Sequence, residues 1–531
     1  MIRAVFWLVL LFVADAGKIL VYSPSISYSH LISNGRIADA LAKAGHDVVM
    51  FIPEYSASTT KFAAAKHARI VRMNNISSRY DDDLAGGEEW VMAQSTLSFR
   101  LRLDFEYTLT EMCRALMARR EELEELKNYG FDAAFAEQID LCGIGVIRYL
   151  GIHNLLWIST TPIMDAVSYN LGIPAPPSYV PTIEENDKSD TMTFWQRAHN
   201  IYMYIGSIVV HRWGSDMSTQ VFREIDPDFP NLREIAANAS LCFVNSDEMF
   251  DFPRPIIHKN IYIGGLGVGE PKPLDQKFTT LMNKGKRGVI IISLGTIAPF
   301  HAFSENIKMG FVGVVRSMPD YHFILKITKD NHHFTITLFT DDTTTQSFFE
   351  GVNNCDFVEW LPQSDILAHH RLELFVMHGG VNGLTEAMLR AVPVVVIPIF
   401  ADQFRNGRNV EKRGVGKVIL KQDLAEDTIR AAIQEILSNE SYKKNAVRMS
   451  KLMREKPFSA EQRLIQWTTF AVENGVLDVL HVQGSRMNSI VYFNLDVIAL
   501  VVAALFLLTC IVLRLFCVLR RIFIVQKLKQ Q

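Results

Sequence analysis

The stretch Leu374-Phe375-Val376-Met377-His378-Gly379-Gly380-Val381-Asn382-Gly383-Leu384-Thr385-Glu386 passes from an apolar run, through a glycine pair, into a helical pattern that reaches Ala391. A short apolar run closed by glycines and followed by a helix reads as one strand–turn–helix unit of a parallel sheet. Glycines at that turn let backbone N–H groups close on a phosphate, and the helix N-terminus adds positive dipole. A diphosphate fits the spot. The ring of His378 can donate to the same group; the competing reading is a histidine that merely caps the helix. Asn382 and Glu386 lie four residues apart and share one helix face, with the carboxylate about one turn deeper. There it can accept two ribose hydroxyls, although an ordinary solvated face would carry the same residues.

The neighbouring units repeat the theme. Val392 to Ile399 is a second apolar run, and Pro398-Ile399-Phe400-Ala401-Asp402-Gln403 ends it and opens another helix. Asp402 and Gln403 therefore sit at a strand's carboxyl end and can hydrogen-bond sugar hydroxyls, with Asn406 on the face of Asp402. Upstream, Trp360-Leu361-Pro362-Gln363 offers an indole to stack on a uracil ring and an amide to bind its edge or the ribose. A lone Trp before Pro is more often core packing.

Further out, short apolar runs alternate with helical patterns. Lys18 to Tyr22 precedes a helix that ends at Ala44-Gly45, followed by Asp47 to Ile52, Ala133 to Phe135, Leu155 to Ile158 and Leu241 to Val244. A Pro- and Gly-rich stretch from Phe252 to Pro273 interrupts the series, which resumes with Val289 to Ser293, Tyr321 to Ile327, Leu372 to Met377 and Val392 to Ile399. This pattern predicts an α/β chain with two Rossmann-like parallel-sheet domains facing each other across a cleft. Ligands of such sheets bind beyond the carboxyl ends of the strands. Leu171 to Asp190, rich in proline, reads as a surface loop over the first domain.

The chain has 531 residues, 49% hydrophobic and 21% charged, with a formal net charge of -3. That is enough for about two to three domains, and it carries no basic excess of the kind that draws nucleic acid. Arg3, the apolar run Ala4 to Ala14 and Ala14-Asp15-Ala16 have the form of a signal peptide cleaved after Ala16. Ile490 to Leu513 reads as one transmembrane helix, and Arg514, Arg520, Arg521, Lys527 and Lys529 behind it predict a cytosolic tail and a lumenal N-terminal part. The terminal Lys-Leu-Lys-Gln-Gln resembles a dilysine retrieval signal of the endoplasmic reticulum; a plain membrane-flanking charge cluster is the alternative. Cys113, Cys142, Cys242 and Cys355 fall in the lumenal part with no spacing that suggests zinc or a disulfide framework. Asn75, Asn238 and Asn439 open glycosylation triplets.

Taken together, the motifs W-L-P-Q, F-V-x-H-G-G-x-N-x-x-x-E-A and P-x-F-x-D-Q-x-x-N closely resemble the signature of the UDP-glycosyltransferase family that includes the UDP-glucuronosyltransferases. Ser293-Leu294-Gly295-Thr296, the Phe252-Pro253-Arg254-Pro255 segment, the leader and the anchor extend the resemblance over nearly the whole chain, and the L-G-I-P-x-P-P-S-Y-V-P segment from Leu171 to Pro181 resembles the invertebrate branch. The resemblance implies a GT-B fold. It divides the chain into a signal peptide (1–16), an acceptor-binding Rossmann-like domain (17–264), a linker (265–288), a UDP-sugar-binding Rossmann-like domain (289–457), a returning helix and membrane approach (458–489), a transmembrane helix (490–513) and a basic tail (514–531). It assigns Trp360 and Gln363 to uridine and Glu386 to ribose, with Asn382 on the same helix face. Thr296, His378, Gly379 and Gly380 fall to the diphosphate, Asp402 and Gln403 to the sugar, and Arg254 to a glucuronate carboxylate, with a surface linker charge as its other reading. Gly383 departs from the family, which commonly has Ser there, at a cost of about 1 kcal/mol for one phosphate hydrogen bond.

Inverting transfer needs a base for the acceptor hydroxyl, and histidine suits neutral pH. His30, after the first strand, matches the family's catalytic Ser-His by position; helix capping is its other reading. Glu137 aligns with the family's orienting Asp, and Asp140 is its near rival. Asp81-Asp82-Asp83 and Asp226-Pro227-Asp228 formally satisfy a metal-binding D-x-D but read as loop charges, so no metal and no cofactor beyond the UDP-sugar co-substrate is expected. The expected activity is transfer of glucuronic acid or glucose from a UDP-sugar to a small lipophilic acceptor, at the endoplasmic reticulum membrane and in contact with its lipid. The alternatives are glucose as the main sugar, or a silent UDP-sugar-binding membrane partner. Homo- or hetero-oligomers are compatible with either.

Overall fold

The computed structural model describes residues 16–84, 92, 96–295, 300–327 and 347–529. Residues 1–15 of the leader and Thr296 therefore lie outside the described residues. The first sheet contains β1 (Lys18–Tyr22), β2 (Asp47–Pro53), β3 (Arg69–Met73), β4 (Ala133–Glu137), β5 (Leu155–Ser159), β6 (Leu241–Val244) and β7 (Asn260–Tyr262), in the order β3-β2-β1-β4-β5-β6-β7. The second contains β8 (Gly288–Ser293), β9 (Tyr321–Lys326), β10 (Cys355–Val358), β11 (Leu372–Met377), β12 (Val394–Val396) and β13 (Gly416–Val418), in the order β10-β9-β8-β11-β12-β13. All their pairings are parallel.

The continuous apolar runs follow from burial on both faces. Leu20 and Tyr22 of β1 join one core cluster while Ile19 and Val21 join the other, because successive side chains leave a strand on opposite sides. The second sheet repeats this, with Ile290 and Ile292 on one side and Val289 and Ile291 on the other. Each fully buried aliphatic side chain contributes about 1.5–3 kcal/mol, which is why helices must cover both faces. In each sheet the strand order reverses at the centre, between β1 and β4 and between β8 and β11. The loops leaving those strands splay apart there and open a crevice.

Two features add to what the sequence predicts, the helix in the linker and a disulfide, and the returning helix has its own contacts. Gln276–Met282, inside the stretch read as a linker, is a helix that buries Phe278, Leu281 and Met282 in the second domain's core. Ala460–Asn474 returns to the first domain, where Asn154 donates to the Ala471 carbonyl at 2.7 Å and Leu464 joins the core of β1. A disulfide links Cys113, in the helix Phe99–Ala118, to Cys142, at the start of the helix Cys142–Tyr149.

The proline-rich segment is not confined to the first domain. Arg408 of the second domain donates to the Asp187 carbonyl at 3.0 Å, and Lys412 pairs with Asp190. Of the glycosylation triplets, Asn75 and Asn439 are exposed and Asn238 is half-buried.

Residues 482–531 form a unit of their own. Its helix Leu495–Lys529 starts later than the predicted span and runs on through the basic cluster. Leu495 to Gln526 is long and apolar enough to cross a membrane. The part before Arg514, about 20 residues, covers roughly 30 Å at about 1.5 Å per residue.

Candidate active site

A cavity of about 1240 Å³ opens at the carboxyl ends of the central strands of both sheets. From the first domain, β1 feeds the helix Tyr28–Lys43, capped by Ser27, and brings His30 to the cavity wall. β4 ends on Glu137, whose side chain is fully buried. His30 donates from Nδ1 to the Glu137 carboxylate at 2.7 Å, so Nε2 is the ring nitrogen left to meet an acceptor. Asn34 adds a weaker bond to the same oxygen, at 3.4 Å. Burial alone would lower the pKa of His30; Glu137 and the more distant charge of Asp402 outweigh it and hold the ring above its ordinary value.

Asp140, the other carboxylate considered for this role, points elsewhere. It accepts from the Tyr22 hydroxyl at 2.8 Å, the Tyr55 hydroxyl at 3.0 Å and the Cys142 amide at 3.1 Å. Burial pushes its pKa up to about 7 against those three donors.

The second domain supplies the opposite wall. His378 follows β11, and the chain turns through Gly379 at a φ of +92°, a conformation that glycine adopts without strain. A Cβ on Gly380 would lie 2.5 Å from His378 Nε2, so the close approach also needs glycine. Gly380 caps the helix Val381–Leu389 without a side-chain acceptor for the first N–H groups, which a phosphate would supply. Burial, with help from the charge of Lys326, pushes the pKa of His378 down to about 4. The ring is therefore neutral at physiological pH, and its Nδ1 is buried without a hydrogen-bond partner.

Trp360 is 57% exposed and lines the cavity, so it is not core packing. The Lys326 ammonium lies 5.5 Å from its ring centroid and donates to the Gly295 carbonyl at 2.9 Å. Gln363 donates to Glu386 Oε2 at 2.8 Å, bringing the uridine and ribose candidates together.

Asp402 lies at the start of the helix Gln403–Arg413 and accepts from Asn406 at 2.7 Å. Burial, opposed by that amide, pushes its pKa up to about 6. The Gln403 side-chain oxygen accepts from the Ile399 amide at 2.8 Å and the Phe400 amide at 3.3 Å, so a ligand would meet its NH2 rather than its oxygen.

Arg254 is not among the cavity-lining residues. It is directed into the first domain instead, donating to the Ile163 carbonyl at 3.0 Å and the Ser168 hydroxyl at 2.8 Å. The acidic triplet is likewise engaged locally. Asp81 caps Ala57, Asp82 accepts from Ser78, and Asp83 pairs with Arg79. Among the described residues, no three His, Cys, Asp or Glu side chains gather as a metal site.

Sequence reasoning missed the seam between the domains. Ser33 accepts from Asn382 at 3.0 Å, and Arg36 donates to Glu386 Oε1 at 2.8 Å. Asn382 also accepts from Asn245, after β6, at 2.9 Å. His30, Ser33 and Arg36 are spaced three residues apart, so one face of a single helix carries all three. A polar stripe on a helix that otherwise buries Leu31, Ile37, Ala38 and Leu41 is the signal that could have found them.

Residues 17–530 match the family model described as "UDP-glucoronosyl and UDP-glucosyl transferase". Over 517 residues the chain is 39% identical to the putative UDP-glucuronosyltransferase ugt-50 of Caenorhabditis elegans, covering 96% of this chain and 95% of that protein. It is 26% identical to UDP-glucuronosyltransferase 1A8 of Rattus norvegicus over 92% of this chain and 89% of that one. Among solved structures, Os79 from O. sativa in complex with UDP superposes with a TM-score of 0.57 at 16% identity, covering 86% of this chain and all of that one. The glycotransferase of kitacinnamycin gives 0.56 at 16% identity, over 86% and 98%. These structural likenesses bear out the GT-B fold. With two parallel Rossmann-like sheets, a cavity between their switch points and a match spanning nearly every residue, the chain belongs to the family of UDP-glucuronosyl and UDP-glucosyl transferases.

Proposed function

We propose that the chain transfers glucuronic acid or glucose from a UDP-sugar to the hydroxyl of a small lipophilic acceptor, with inversion, using His30 as base. The observation that carries this reading is the 2.7 Å bond between His30 Nδ1 and the buried Glu137 carboxylate, on the cavity wall that faces the donor motifs. Nε2 takes the acceptor proton as the oxygen attacks the anomeric carbon, and Glu137 stabilises the imidazolium that forms. Trp360 and Gln363 hold uridine and Glu386 the ribose. His378, the backbone around Gly379 and Gly380, and Thr296 hold the diphosphate, while Asp402 and Gln403 hold the sugar. Apolar side chains such as Leu101, Phe105, Ile139 and Met164 line the acceptor half and favour a lipophilic partner.

The leaving UDP is met by the N-terminus of the helix Val381–Leu389 and the nearby Lys326 ammonium, so the UDP-sugar serves as co-substrate with no further cofactor. The C-terminal helix anchors the chain in the endoplasmic reticulum membrane with the domains in the lumen, where an oxidising milieu suits the Cys113–Cys142 bridge. Glucose as the main sugar is favoured by one observation: the arginine assigned to a glucuronate carboxylate, Arg254, is turned into the first domain.

The test offers labelled UDP-glucose and UDP-glucuronate, each with a panel of phenols, to the enzyme and its His30→Ala variant in microsomes. A conjugate formed only by the unaltered enzyme supports the reading. Substantial turnover by His30→Ala removes the histidine from the mechanism, and no product from either donor favours the silent-partner alternative.

A further inference from the structure

We propose that Glu185, from the first domain, is a positioning residue for the sugar end of the donor site, through the turn that carries Asp402. The proposal rests on the reading that Asp402 and Gln403 hold the sugar.

Glu185 binds both main-chain polar groups of one residue of the other domain. Its amide donates to the Ala401 carbonyl at 3.1 Å, and its Oε1 accepts from the Ala401 amide. Its Oε2 accepts from the Leu97 amide at 2.9 Å, which fixes the carboxylate from behind. The side chain has little freedom, since the residue is only 4% exposed although it reaches the cavity wall.

Both partners stand in the left-handed region, with φ at +54° for Glu185 and +56° for Ala401. Non-glycine residues hold that conformation only where their surroundings over-determine it. The three hydrogen bonds are that over-determination. Asp402 follows directly, so the direction in which its carboxylate leaves the chain depends on how Ala401 is held.

The preceding residue, Glu184, pairs with Arg102 on the acceptor half of the cavity. One dipeptide thus touches the acceptor wall and the sugar-bearing turn. At its far end the same segment meets the helix Gln403–Arg413 through Asp190 and Lys412, away from the turn. That contact supplies a control for simple domain docking.

The experiment uses the full-length enzyme in microsomes, with whichever of UDP-glucose and UDP-glucuronate is turned over. KM for the UDP-sugar and the inhibition constant of UDP are compared for Glu185→Ala, Glu185→Gln, Lys412→Ala and Asp402→Asn. Loss of the side-chain acceptor from the Ala401 amide should raise the UDP-sugar KM of Glu185→Ala about 5- to 20-fold. The UDP constant should stay within about twofold. Glu185→Gln, which keeps one acceptor, should fall in between, and it carries the test should Glu185→Ala not fold. Lys412→Ala should leave both constants nearly unchanged.

Equal shifts of both constants in Glu185→Ala, or no shift in either, would overturn the positioning role. If Asp402→Asn fails to separate the two constants, the assignment of the sugar site falls instead. If Asp402→Asn separates them and both Glu185 variants do not, only the role of Glu185 falls.

Discussion

Replacing Glu137 by glutamine removes one charge beside the base and little else. When His30 takes a proton, its charge lies against the Glu137 carboxylate across a 2.7 Å contact. With charge centres about 4 Å apart and an effective dielectric constant of about 20, the attraction is about 4 kcal/mol. Glutamine keeps a hydrogen bond worth about 1 kcal/mol, so the net loss is about 3 kcal/mol, or roughly a hundredfold or more in kcat. The hydrogen bonds of Glu137 go to His30 and Asn34 of its own domain, and KM for the UDP-sugar should stay within about twofold.

The pH profile gives an independent readout. A base must be deprotonated to act, so kcat/KM falls as pH drops through the pKa of His30. Glu137 holds that pKa up, so in Glu137→Gln the acidic limb should move to lower pH even though the enzyme is slower. Initial rates with a labelled UDP-sugar between about pH 5 and 8 measure both effects. Asp140→Asn, whose native partners are Tyr22 and Tyr55, should leave the acidic limb in place. A Glu137→Gln enzyme within threefold of full kcat, or one whose acidic limb does not move, would refute the reasoning.

Other outcomes follow from the same geometry. Glu386→Ala should weaken UDP binding about 10- to 100-fold, the worth of two ribose hydrogen bonds to a charged group less what Arg36 and Gln363 already supply; calorimetric titration with UDP would detect its absence. Cys113→Ser with Cys142→Ser opens a bridge of sequence separation 29, worth about 3–4 kcal/mol in the chain-entropy account. It should lower the unfolding midpoint by several degrees and leave UDP affinity within about twofold. A chain ending at His481, where the first compact unit ends, should move from the membrane pellet to the supernatant and still bind UDP. Sedimentation followed by UDP titration tests this, and recovery only in the pellet would count against the helix Leu495–Lys529 as the anchor.

The parts of the fold that the sequence displays are those buried on both faces. β1, β6 and β11 have the bounds their apolar runs predict. β3, β10 and β13 are edge strands, half-exposed and mixed in polarity, and nothing in Arg69–Met73 or Cys355–Val358 separates them from loop. The donor motif was legible because a glycine turn between strand and helix is a local event. The pairing of His30 with Glu137 joins residues 107 apart, and residue-type chemistry alone could not choose between Glu137 and Asp140. The disulfide depends on two helices lying side by side, which cysteine spacing does not encode. Glu185 gave no signal at all, since an acidic residue in a proline-rich stretch looks like solvated loop.

The contact between Arg36 and Glu386 bears on how the two domains share one charge. A carboxylate only 7% exposed is costly to leave unpaired, and here the other domain's arginine neutralises it. With Glu386 as the proposed ribose acceptor, an incoming ribose would compete with Arg36 and Gln363 for the same carboxylate, and its affinity would be a difference between two sets of partners. Arg36 lies six residues after His30 on the helix Tyr28–Lys43, so on the proposed reading trading partners at Glu386 would act on the element that holds the base. Nucleotide exchange and readiness for chemistry would then share one helix.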